Sequence, residues 1–241
     1  MKKTCTIFIA AFVAFLATGC QVFIYQPQAV DVPLINHQGD VRVDASLGVS
    51  TFLLPNRLTL NATGSYGITD WLAAQAHIDY GGDCWYGQVA PGVYVPFSDH
   101  AVLEGYVGYG VGGSWNDGVV SDSGYTLIYK GSFNLPFAQA NFGWHDLANG
   151  HLDIGVGIKA GYYMPSFDYQ RYWNQEHQTS YDEHYGTPNT LLEPQLMIRA
   201  GGPKVKYSLR IGYVWMSDLP EGAVSFSHDY ITISNGVTFS F

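Results

Sequence analysis

Residues 191–215 alternate between apolar and polar side chains on both arms of what reads as a β-hairpin. In the second arm Val205, Tyr207, Leu209, Ile211, Tyr213 and Trp215 alternate with Lys206, Ser208, Arg210 and Gly212. The first arm sets Leu192, Leu196, Ile198 and Ala200 against Glu193, Gln195 and Arg199, and Gly201-Gly202-Pro203 makes the turn. Successive strand side chains point to opposite faces, so each arm has one apolar and one polar side. The same alternation recurs at residues 41–47, 58–65, 72–79, 85–95, 103–111, 135–144, 152–159 and 231–241. It predicts about ten antiparallel strands of roughly 9–12 residues, the length a tilted membrane-spanning strand needs. Pro91 and Pro194 fall inside strands, where each removes a ladder donor, so a bulge or break is expected at both and the count admits eight or twelve.

Alternation does not say which face looks inward. A soluble ligand-binding barrel keeps its apolar face inside; a membrane barrel turns it out. The polar face here is rich in Gly, Ser, Thr and Gln, which suits a crowded lumen. The apolar face ends in aromatics: Tyr66, Trp71, Phe97, Trp144 and Phe241 at one end, Tyr80, Trp85, Tyr213 and Trp215 at the other. Such belts mark the two interfaces of a spanning barrel. Phe241 closes an alternating strand, which resembles the assembly signal of outer-membrane barrels. The reading is an all-β fold, a transmembrane antiparallel up-and-down β-barrel. Its connections near Asp70, Asp99, Asn149 and Gly202 are tight, and those around Leu54, 114–124, 166–188 and 218–229 are longer. Short periplasmic turns and long external loops are the usual asymmetry, and an even strand count puts both ends of the barrel on the periplasmic side.

Ahead of the strands, Lys2 and Lys3 precede an apolar run over 7–16 and then Ala17-Thr18-Gly19-Cys20. That is the layout of a cleaved signal peptide over residues 1–19. Cys20 after small residues resembles a lipobox, which implies lipidation at Cys20; an ordinary cleaved signal is the alternative. Residues 20–39 are a non-periodic lead with Pro27 and Pro33, expected to tether the anchor to a barrel over residues 40–241. With Cys5 removed and Cys20 lipidated, Cys84 is alone, so no disulfide framework is expected, and no Cys/His spacing suits zinc. Without Lys2 and Lys3, nine basic residues face 20 acidic ones, a net of −11. That balance argues against nucleic acid as a partner.

The predicted lumen carries Asp44, Asp79, Glu104, Asp153 and Glu193 against Arg42, Lys159, Arg199, Lys206 and Arg210. A barrel of about ten strands is narrow, and so many buried charges are tolerable only if they pair and hydrogen-bond. The expectation is an ion-paired plug; a narrow porin-like diffusion channel lined by the same residues is the alternative. His77 and Asp79 share a lumen face, as Asp and His residues do in surface proteases of the omptin type. No complementary pair stands opposite them, so they are expected to be structural and the protein not an enzyme, a surface hydrolase being a third reading. The external loop over 166–188 offers Tyr169, Tyr172, Trp173, Tyr181 and Tyr185 to a glycan or another outer-membrane protein. No cofactor and no metal are implied.

Gly19-Cys20, the lead Tyr25-Gln26-Pro27 through Val32-Pro33-Leu34-Ile35, Gly39-Asp40-Val41-Arg42 and Tyr66-Gly67-Ile68-Thr69-Asp70 resemble the small outer-membrane β-barrel lipoproteins of Bacteroidota. The resemblance covers the chain after the signal and its motifs are structural. It implies a barrel in the outer membrane with a lipid anchor, and it carries no activity or catalytic residue. Surface-exported lipoproteins of that phylum tend to have acidic residues just after the lipidated Cys. Gln21-Val22-Phe23-Ile24 has none, which implies an anchor and N-terminus facing the periplasm.

Overall fold

The period-two alternation becomes a closed ring of ten antiparallel strands. The computed structural model describes residues 22–25, 31–50, 58–120, 125–173, 179–217, 226–228 and 231–241. The ring runs through β2 (Val41–Ser50), β3 (Leu58–Gly67), β4 (Leu72–Gly81), β5 (Cys84–Ser98), β6 (Ala101–Val120), β7 (Tyr125–Asp146) and β8 (Leu152–Trp173). It continues through β10 (Asn189–Gly201), β11 (Val205–Tyr213) and β14 (Ile231–Ser240), which pairs with β2 and closes the barrel. Each strand lies beside its predecessor in the chain, the up-and-down order expected.

Faces sort as a membrane barrel requires. Ile78 and Val107 point outward and are 64% and 63% exposed, whereas their neighbours Asp79 and Tyr106 point inward at 4% and 2%. The nine aromatics of the two belts are all exposed on the outer face. An apolar surface of this extent is stable only against lipid, so the soluble alternative falls.

Prolines 91, 136 and 194 each interrupt one seam and leave the other intact. Pro91 keeps its place opposite Ala74 of β4, while the β5–β6 pairing skips Ala90 and Pro91 and resumes in the same register at Gly92–Tyr106. Pro194 pairs with Ile158 of β8, and its break toward the other neighbour separates β11 from β12 (Trp215–Met216). A residue of an antiparallel strand directs its N–H and C=O to the same neighbour, so a missing N–H is felt on one side only. The breaks expected at Pro91 and Pro194 are present without a bulge, and the strand count stays at ten.

Two of the expected long connections are largely strand. β6 and β7 remain paired out to Val120–Thr126, and β8 runs on to Trp173. Opposite its outer part lies β9 (Thr179–Tyr185), which continues β10 in one register across residues 186–188. A bare loop of that length would leave its backbone donors and acceptors unpaired, and hairpin pairing satisfies them. One end of the barrel therefore bears tight turns and the other bears projecting hairpins.

The lead differs most from expectation. Residues 31–35 of the lead, expected only to join an anchor to the first strand, are all five buried in the lumen. Climbing from the tight-turn end, Asn36 meets His145, Ile35 meets Glu104, and Asp31 meets Arg199. Gly155 of β8 makes the room: a Cβ there would lie 2.8 Å from Val32 Cγ1. Nearer the hairpin end, Tyr25 of β1 (Val22–Tyr25) packs edge-on against Phe133 and Tyr163, and β1 pairs in parallel with β13 (Phe226–His228), which lies between β12 and β14.

Candidate functional site

The lumen holds two apolar clusters and a set of charged groups that runs beside them, from Asp153 and Lys206 next to Asp146 in the tight turn to Lys159 and Glu193 next to Tyr25. At the tight-turn end Val32, Leu34 and Ile35 of the lead pack with Tyr94, Tyr106, Phe137 and Met197 of the wall. At the hairpin end Tyr25 packs with Tyr86, Tyr129, Phe133, Tyr163 and Phe167. All ten charged residues expected to face the lumen do so and are buried. Lys206 Nζ lies 2.6 Å from Asp153 Oδ1, with Arg42 NH1 3.7 Å from the other oxygen of that carboxylate. Asp44 accepts from Arg210 NH2, from Ser208 Oγ at 2.8 Å and from Thr238 Oγ1 at 2.6 Å. Lys159 Nζ sits 3.0 Å from Glu193 and 4.9 Å from the centre of the Phe137 ring. A buried ion costs least when its remaining donors or lone pairs are also engaged. These ions have hydroxyl, ring or second-charge partners, while Arg42 Nε, Arg210 Nε and Arg210 NH1 make no hydrogen bond among the described residues.

Four of these charged residues, Arg199, Arg210, Glu104 and Glu193, are also met by the lead, which sequence reasoning did not connect to them. Arg199 places NH2 2.8 Å from Asp31 Oδ1 and NH1 3.1 Å from the Pro33 carbonyl. Glu104 accepts from the Ile35 amide at 2.7 Å and from Asn141 Nδ2 at 3.0 Å; among the described residues no cation pairs with it directly. Gln139 Nε2 donates to the Asp31 carbonyl at 2.9 Å. Higher up, the Tyr25 hydroxyl donates to Glu193 Oε1 at 3.0 Å. The signal for this docking was the apolar run Val32-Pro33-Leu34-Ile35, which a solvated tether has no reason to carry.

His77 lies between Thr63 Oγ1, 2.7 Å from Nδ1, and Asp79 Oδ2, 2.9 Å from Nε2. A hydroxyl, an imidazole and a carboxylate in a row are the parts of a hydrolase triad. Here His77 is 5% exposed, with the Tyr86 ring 6.3 Å away, so the row faces packed side chains. Among the described residues no group of three or more His, Cys, Asp or Glu side chains is placed to hold a metal ion.

Of the aromatics assigned to an external binding loop, Tyr169 and Tyr185 are buried in the hairpin-end cluster. Burial pushes the Tyr185 hydroxyl above its ordinary value, and a hydrogen bond from Asn189 Nδ2 at 2.7 Å works against that rise. The side chains of Tyr172, Trp173 and Tyr181 lie outside the described ones, as do Cys20 and the signal segment.

No family model matches the chain, and no curated protein matches it. Solved structures do. The outer membrane protease OmpT from Escherichia coli aligns over 84% of this chain and 97% of its own, with a TM-score of 0.56 at 11% identity. The translocator domain of autotransporter NalP from Neisseria meningitidis aligns over 87% of this chain and 91% of its own, with a TM-score of 0.44 at 11% identity. The KdgM porin covers 83% of this chain and 99% of its own, at a TM-score of 0.37 and 10% identity. At 11% identity the likeness to the OmpT structure is one of fold, that of an outer-membrane barrel.

Proposed function

We propose that this protein is a sealed, lipid-anchored outer-membrane barrel whose work is done at its hairpin end. It serves as a structural or binding protein rather than as a diffusion channel. The observation that supports this reading is the lead: residues 31–35 occupy the lumen and hold Arg199 and Glu104 through Asp31 and the Ile35 amide. A pore lined by the same charges needs that segment to leave, which strands a buried guanidinium. The tight-turn end is then periplasmic, and the projecting β6–β7 and β8–β9 hairpins present the surface for a glycan or another outer-membrane protein. A lipid on Cys20 supplies the anchor, as in the Bacteroidota barrel lipoproteins that the chain resembles. The hydrolase reading is the weaker one, because His77 is buried among the described residues and its row faces packed side chains.

The test is single-channel recording of the refolded, heat-modifiable barrel in a planar bilayer. The intact chain is expected to be silent, and a chain lacking residues 22–36 to conduct. Steady current through the intact barrel that changes with Arg210→Ala or Glu104→Gln would overturn the sealed reading.

A further inference from the structure

The lead has a direction as well as a position, and this inference rests on the lumen-filling reading above. Asp40 lies at the tight-turn end, where its carboxylate accepts from the Asn36 and His37 amides, each at 3.0 Å. Toward the N-terminus the partners of the lead pass from His145 and Glu104 to Gly155 and Gln139, with Arg199, which stands opposite Asp153 nearer the turn, meeting Asp31 from below, and end at Phe133, Tyr163 and Glu193 around Tyr25. The last contact is backbone pairing of Val22 and Phe23 with Phe226 and Ser227, in the connection of the hairpin end. Fourteen residues lie between Tyr25 and Asp40. Extended, they reach about 50 Å, enough to cross an apolar band of about 25 Å with slack.

We infer that the N-terminal segment crosses the outer membrane inside its own barrel and emerges at the hairpin mouth. Chain preceding Val22, with any lipid carried at Cys20, is then delivered to the cell-surface face and its outer leaflet. This replaces the periplasmic orientation expected from the even strand count and from the lack of acidic residues after Cys20. Strand parity places Val41 at the tight-turn end and says nothing of a segment that turns back up through the lumen. Display at the surface also needs no sorting motif, because the barrel itself carries the segment across. A second consequence follows from size: a lipidated terminus does not pass through a filled lumen. The lead must therefore be in place before β14 meets β2 and the seam closes.

The experiment inserts a short epitope between Gln21 and Val22 of the full chain and, as the control, a second epitope in the Asp99–His100 turn. Antibody binding is then read on intact and on permeabilised cells. The expected result is binding of the first epitope on intact cells and of the control only after permeabilisation. The reverse pattern, or binding of the first epitope only after permeabilisation, overturns the inference. Should the inserted epitope prevent a heat-modifiable barrel, Phe23→Cys in a Cys84→Ser background takes its place, read with a membrane-impermeant maleimide against the Cys84→Ser parent. Labelling above the parent on intact cells supports surface display; labelling only after permeabilisation, or none, overturns it. The two readings fail separately. A silent barrel with a periplasmic epitope keeps the seal and loses the threading, and a conducting barrel with a surface epitope does the opposite.

Discussion

Arg199 and Asp31 stand 168 positions apart in the chain and 2.8 Å apart in space, with the guanidinium wholly buried. This pair joins the lead to the barrel wall. Asp31→Ala leaves a buried cation without its partner, a loss of roughly 3–5 kcal/mol. The expected outcome is a lower urea midpoint for the heat-modifiable form. Adding Arg199→Met should restore most of it, because apolar replacement of a whole buried pair is often neutral. Strictly additive losses in the two single variants would show that the residues are not coupled.

Gly155 has no side chain because Val32 passes there. In Gly155→Ala the new Cβ meets Val32 Cγ1 at 2.8 Å and Met197 Cε at 3.2 Å, an overpacking that costs about 1–3 kcal/mol. The double variant with Val32→Ala removes the colliding methyl groups. It should unfold at a higher urea concentration than Gly155→Ala alone. No rescue in the double variant would mean that Val32 is not what fills the space.

Tyr25→Phe removes the hydroxyl that donates to Glu193 and keeps the ring between Phe133 and Tyr163. A hydrogen bond to a charged acceptor is worth about 1.5–3 kcal/mol. Because Glu193 keeps Lys159 at 3.0 Å, the loss falls chiefly on the lead. Amide exchange of β1 should quicken by tenfold or more while exchange in β10 is little changed. Equal acceleration in both would mean that Tyr25 supports the whole barrel rather than its own segment.

His77 is held between Thr63 and Asp79 and is buried among the described residues. His77→Ala is expected to leave the barrel folded and to alter no peptide or ester cleavage by intact cells. A surface hydrolytic activity that disappears with this exchange, in a barrel that remains heat-modifiable, would sink the structural reading of the pair.

Much of the molecule was legible from local pattern. Side chains on a strand point alternately to two faces, so Val205 through Trp215 and nine like stretches announced ten strands and which residues share a side. Aromatic belts from Tyr66 to Phe241 announced lipid on the apolar side, and the ten lumen charges followed from parity alone. Pairing among those charges was not legible, because neighbours across a barrel are set by register and closure. Asp44 meets Arg210 only because β11 and β2 both flank β14. The lead was the least legible part. It has no period to read, and its course depends on the shape of a cavity that exists only once ten distant strands have closed. The chain by itself determined a membrane barrel with a charged interior, because alternation is local. Tertiary structure alone decided that Asp31 completes Arg199 and that Tyr25 reaches the hairpin mouth, because a lumen and its occupant are long-range facts.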